Sequence, residues 1–168
     1  MMTPKMIDNL KAHAGCMFVN NQYQPSKSAE KLGIVNPATN QQVAEFVSVT
    51  DSEVDTVIAN TNRAQQQWAA LDAKTRASYL HRVADSIEHA DHREVAEAMV
   101  IEMGKPYPEA LGEIANVAPI FRYMAEMARD DNGYIAGTTQ QGSFQYAQYF
   151  PLGVTAHIMP FNFPILLF

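Results

Sequence analysis

The chain has 168 residues, 47% of them hydrophobic and 18% charged, with a formal net charge of −6. That size and balance fit one folded domain and exclude a disordered chain. The negative charge argues against nucleic acid as a partner, which would demand a basic face. A single cysteine excludes a disulfide framework and a multi-cysteine zinc site. The N-terminal Met1-Met2-Thr3-Pro4-Lys5 lacks the apolar core of a secretory signal, so a cytoplasmic protein is expected.

Residues 15–47 read as short strands. Met17, Val19 and Tyr23 fall near a period of two, with Asn20-Asn21 as the turn. Gly33-Ile34-Val35 leads into the turn Asn36-Pro37-Ala38-Thr39-Asn40, and Val43–Val49 forms the return strand. A helix over 51–71 follows, opened by Thr50 and Glu53 at capping-box spacing. Val54, Val57, Ile58, Thr61, Ala64 and Trp68 line one face of it. Leu80, Val83, Ala84 and Ile87 mark a second helix over 73–90. Asp91 and Glu94 repeat the capping spacing and open a third, with Val95, Ala98 and Met99 inward. Gly104 supplies its stop and Pro106 forbids continuation. A fourth helix over 108–129 contains Pro119, which should kink or divide it.

Beyond Gly133 the period changes. Phe144, Tyr146, Gln148 and Phe150 alternate with Ser143, Gln145, Ala147 and Tyr149, as in a strand. Val154–Met159 is short and apolar, the pattern of a buried parallel strand. From Asn132 to Phe168 there is no Asp, Glu, Lys or Arg, although a soluble surface needs charge. Prolines, glycines, His157 and Asn162 break this stretch too often for a membrane span. The expectation is a chain that stops inside the core of something larger. The large apolar side chains from Phe150 to Phe168 would then lack cover, and self-association or dependence on a partner would follow.

Few residues offer chemistry. Cys16 reads as a buried structural thiol. Of the histidines at 13, 81, 89, 92 and 157, His81 and His89 lie eight apart and His89 and His92, three apart, straddle a helix break, so no metal site is expected. Gly104-Lys105-Pro106 has neither the upstream glycine nor the Ser/Thr of a phosphate loop, and a solvated lysine after a helix stop suffices. No Gly-x-Gly-x-x-Gly is present. Glu109, Glu113 and Glu126 read as solvent-facing helix residues. Asn162 stands beyond a strand-like run between Pro160 and Pro164. Its carboxamide N–H groups could serve an oxyanion, or simply bond a turn; both readings stand at this point.

These motifs resemble the aldehyde dehydrogenase superfamily. Phe150-Pro151-Leu152-Gly153-Val154 through Pro160-Phe161-Asn162-Phe163-Pro164 resembles that family's Pro-Leu-Gly-Val…Pro-Trp/Phe-Asn-Phe-Pro. Glu102-Met103-Gly104-Lys105-Pro106, Val35-Asn36-Pro37-Ala38-Thr39 and Phe121-Arg122-Tyr123-Met124-Ala125 match further family segments in order. The resemblance implies an α/β chain: strands and a helical array over 1–131, an oligomerisation-sheet segment over 132–150, and over 151–168 only the start of a Rossmann-like cofactor sheet. It implies oxidation of an aldehyde to an acid with NAD or NADP through a cysteine thiohemiacetal. Asn162 would donate to the oxyanion, and Ile158, Met159, Pro160 and Phe161 would line the cofactor groove. Phe161, where the family often has Trp, hints at a semialdehyde. Cys16 does not match the catalytic cysteine's motif, so this chain alone is expected to be inactive. A homo-oligomer, or association with a C-terminal part, is expected. The alternative is a non-catalytic binding or assembly module derived from the family.

Overall fold

A computed structural model describes residues 12–130, 133–137 and 140–167. Four short strands come first: β1 (Cys16–Val19), β2 (Gln22–Pro25), β3 (Lys31–Asn36) and β4 (Gln41–Val47). They form two separate antiparallel hairpins. Asn20 and Asn21 both take positive φ, at 52° and 61°, which gives the two-residue turn the twist its strands need. Val19 accordingly faces Gln22 across it. In the second hairpin the Asn36 Oδ1 accepts from the N–H groups of Ala38 and Thr39, closing the turn. A register shift between Ile34 and Val35 bulges the pair.

Four helices follow: α1 (Asp51–Ala69), α2 (Ala73–Glu88), α3 (Arg93–Met103) and α4 (Tyr107–Met127). The α1 capping box is complete, with Thr50 accepting from the Glu53 N–H and the Glu53 carboxylate accepting from the Thr50 N–H. Glu53 also accepts from the Ser26 hydroxyl and the Lys27 N–H. The N–H groups of Thr50 and Lys27 chiefly hold its carboxyl down at about 2. Most of the apolar face of α1 stays exposed, Val57 being half-buried.

The packed centre is α2 and α3 against α4. Ala77 and Ala84 on α2 and Ala118 and Ala125 on α4 are buried. Ala96 and Met99 of α3 meet Ala110 and Ile114 of α4, with Met103, Leu111 and Ile165 against them. Small side chains let helix axes approach.

Several expectations need correction. The α3 cap is His92, without a side-chain cap bond, because the Arg93 guanidinium and N–H engage Asp91 instead. Val95 is exposed along an apolar groove between α2 and α4, and Ala96 takes the inward position. Pro119 does not divide α4, which runs unbroken with the ring on its exposed side. Cys16 is half-buried.

After the helices, β5 (Gly133–Ala136) pairs antiparallel with β6 (Gln145–Gln148). Gly133 is required there: a Cβ would lie 1.9 Å from the Ala147 carbonyl oxygen. Val154–Met159, expected as a buried strand, forms no strand. Leu152 and Ile158 are 94% and 95% exposed. A parallel strand exists only by hydrogen bonding to a neighbour, and none runs beside this segment among the described residues. Phe168 lies outside the described residues. No helix among them is long and apolar enough to cross a membrane.

Candidate functional site

The site is assembled by the three-residue link between α3 and α4. Gly104 ends α3 in the left-handed conformation, φ 76°, with its N–H on the Val100 carbonyl at 3.0 Å. Pro106 caps α4. Lys105 between them is thereby fixed in direction, and its side chain is only 9% exposed. It is not the solvated lysine expected from sequence.

Glu113 corrects a second expectation. It sits on the apolar stripe of α4 with Ala110, Ile114 and Val117, and its side chain is fully buried. The Lys105 ammonium donates to Glu113 Oε2. Glu113 Oε1 accepts from the N–H groups of Ile165 and Leu166 at 2.9 and 3.0 Å. Lys105 also donates to the Asn162 carbonyl at 2.8 Å and lies 4.1 Å from the centre of the Phe163 ring. Burial pushes the Glu113 carboxyl up, but the lysine and the two N–H groups outweigh it, and it sits below its ordinary value. The Glu113 carboxylate is therefore held in its charged form, with both oxygens engaged.

What this clasp grips is the turn after Pro160. The Phe163 N–H donates to the Pro160 carbonyl at 3.3 Å and the Leu167 N–H to the Phe163 carbonyl at 3.4 Å. Ile165 drops onto the α3–α4 core. Asn162, held by its own carbonyl, is itself exposed. Ile158, Pro160 and Phe161 are exposed and Met159 is half-buried. The structure thus brings Asn162 to the α3–α4 link and leaves Ile158–Phe161 along an open edge. His81 pairs with Glu126, His89 with the Asp85 carbonyl, and His157 with Thr155. No group of three metal-ligating side chains occurs among the described residues. Sequence reasoning missed Lys105 and Glu113. The available signal was a carboxylate in the middle of an apolar helical stripe, which demands a buried partner.

The model of the aldehyde dehydrogenase family matches residues 23–168. The chain belongs to this family. It is 31% identical to an α-ketoglutaric semialdehyde dehydrogenase of Bacillus subtilis, over 89% of this chain and 31% of the relative. An aldehyde dehydrogenase structure from Brucella melitensis superposes with a TM-score of 0.81 at 29% identity, over 98% of this chain and 33% of that one. A 3,6-anhydro-L-galactose dehydrogenase solved with NADP gives 0.79 at 27% identity, over 90% and 32%. The chain spans about a third of the length of the relatives it matches.

The family implies a nicotinamide cofactor, such as the NADP held by the 3,6-anhydro-L-galactose dehydrogenase. The common dinucleotide fold is a parallel sheet whose Gly-rich turn leads onto a helix N-terminus. The sheets here are two-stranded and antiparallel. Ile158–Phe161 give one edge, and Pro160 has no N–H to offer. Among the described residues, these by themselves do not fit a dinucleotide.

Proposed function

We propose that this chain forms the N-terminal third of an enzyme that oxidises an aldehyde to a carboxylic acid. Asn162 is its contribution to the chemistry. When a thiolate adds to an aldehyde carbonyl, the carbon–oxygen π pair moves to oxygen, and that oxygen becomes an anion. A carboxamide N–H aimed at it stabilises the charge where it develops. The thiolate would come from outside this chain: its single cysteine, Cys16, opens β1 with its Sγ 4.0 Å from the Ala12 carbonyl, not from a base or a cation that would activate it. Ile158, Met159, Pro160 and Phe161 would form one wall of a NAD or NADP groove whose other walls this chain does not supply. Phe161 and the Bacillus relative's substrate both favour a semialdehyde. Assembly would be with further copies or with the remaining two thirds of such an enzyme, through the exposed apolar segment 144–161. The formal net charge of −6 disfavours nucleic acid as a partner, and a cytoplasmic location fits this reading.

The observation that carries this reading is the clasp: a buried ion pair makes three main-chain bonds to one turn, and that turn presents an asparagine. The test has two arms. Purified chain with NAD or NADP and short aldehydes should show no turnover; turnover abolished by Cys16→Ser would overturn the reading. Joined to the C-terminal two thirds of the Bacillus relative, the chain should support turnover that Asn162→Ala lowers about 10²–10³-fold in kcat.

The exposed Leu152 and Ile158 also favour a second reading, an assembly module without chemistry. In that case the joined protein would assemble, yet Asn162→Ala would leave its turnover unchanged.

A further inference from the structure

We infer that Lys105 and Glu113 are positioning residues for the Asn162 carboxamide. The inference rests on the oxyanion reading of Asn162 and extends it to residues that touch neither substrate nor cofactor.

The clasp holds Asn162 itself and the residues that follow it. On the residue itself, the Lys105 ammonium takes the main-chain carbonyl at 2.8 Å. Three and four residues later, the Glu113 carboxylate takes the two consecutive N–H groups of Ile165 and Leu166. Between those points the Phe163 ring lies against the ammonium. A short peptide held at both ends has few backbone conformations left, so the direction of the Asn162 Cα–Cβ bond is set by the clasp. The carboxamide has only two further torsions to choose. That matters because an oxyanion donor must stand within a few tenths of an ångström of its place before the charge appears.

The chemistry of the two clasp residues is specific. The ammonium has three N–H donors, and two go to Glu113 Oε2 and the Asn162 carbonyl while the ring covers the remainder. Glu113 divides its oxygens between the lysine and the turn, so neither residue can hold the turn alone. Two consecutive N–H groups on one oxygen are held more strongly by a charged carboxylate than by a neutral carbonyl. A neutral amide at position 113 keeps the shape but weakens both bonds and leaves Lys105 unpaired in the interior. Pure packing, by contrast, needs no charge at this point: Ile165 already seals the α3–α4 core through its side chain.

The test uses the whole chain, labelled with nitrogen-15, and reads amide exchange and the Asn162 side-chain resonances. In the unaltered chain the Ile165 and Leu166 N–H groups should exchange at least about tenfold more slowly than free-peptide amides. Glu113→Gln and Lys105→Met should remove that protection and shift the Asn162 carboxamide signals toward free-amide positions, with protection at Ala84 and Ala118 unchanged. Lys105→Arg should restore the wild-type Asn162 signals. Free-peptide exchange at Ile165 and Leu166 in the unaltered chain would overturn the inference, even if both variants failed to fold. So would Asn162 signals that ignore Glu113→Gln while the helices hold. Asn162→Ala in the joined enzyme reads the oxyanion role separately: loss of turnover there with an unresponsive clasp defeats the inference alone, and unchanged turnover with a responsive clasp defeats the oxyanion reading alone.

Discussion

The helices α2–α4 and the segment 144–161 hold similar proportions of apolar side chains, yet one is packed and the other lies open. The helices find partners close in sequence: α3 and α4 are joined by Gly104, Lys105 and Pro106 alone, and their facing residues meet as soon as the link turns. Val154–Met159 can be satisfied only by hydrogen bonds to another strand, and its β-type sequence yields no β-structure without one. A pattern of side chains therefore specifies a helix almost by itself, but specifies a strand only together with its neighbours. The turn at 160–167 escapes this limit because a carboxylate and an ammonium replace the missing ladder.

Mutations sharpen the contrast. Glu113→Ala should cost about 3–5 kcal/mol in urea unfolding followed by circular dichroism, since it leaves the Lys105 charge buried without its partner. Ala84→Leu, at a fully buried α2–α4 contact, should cost about 1–3 kcal/mol by overpacking. Thr50→Ala should cost about 1 kcal/mol by opening the α1 cap. Acid should act on the same cap. The Glu53 carboxyl titrates at about 2 in the folded chain against 4.5 ordinarily, so its stabilisation is complete above 4.5 and fades as pH falls toward 2. Urea midpoints between pH 5 and 2.5 should drop, and Glu53→Gln should flatten that slope. Ile158→Ser should fall within about 0.5 kcal/mol of wild type, because that side chain touches water already. A large loss there would mean that the open segment packs after all.

Where structure is local, the residues announce it. Asn20-Asn21, Asn36 with its two N–H donors, Thr50 with Glu53, and the left-handed Gly104 were all legible from spacing and residue type. Asp91 misled because a competing guanidinium two positions away took its carboxylate. Pro119 misled because its ring faces outward, where a helix tolerates the lost N–H better. At the candidate site Asn162 was visible by its setting between prolines. Lys105 and Glu113 were not, because their meeting depends on how α4 rotates its stripe toward a turn some fifty positions downstream.

Lys105 grasps a main-chain oxygen at Asn162, an atom every amino acid shares. The socket is consequently blind to the identity of whatever it presents. Exchanging the amide for a carboxylate, a hydroxyl or a thiol would alter the reagent while the handle stays the same, which makes this position a place where new reactivity can be tried at little architectural risk.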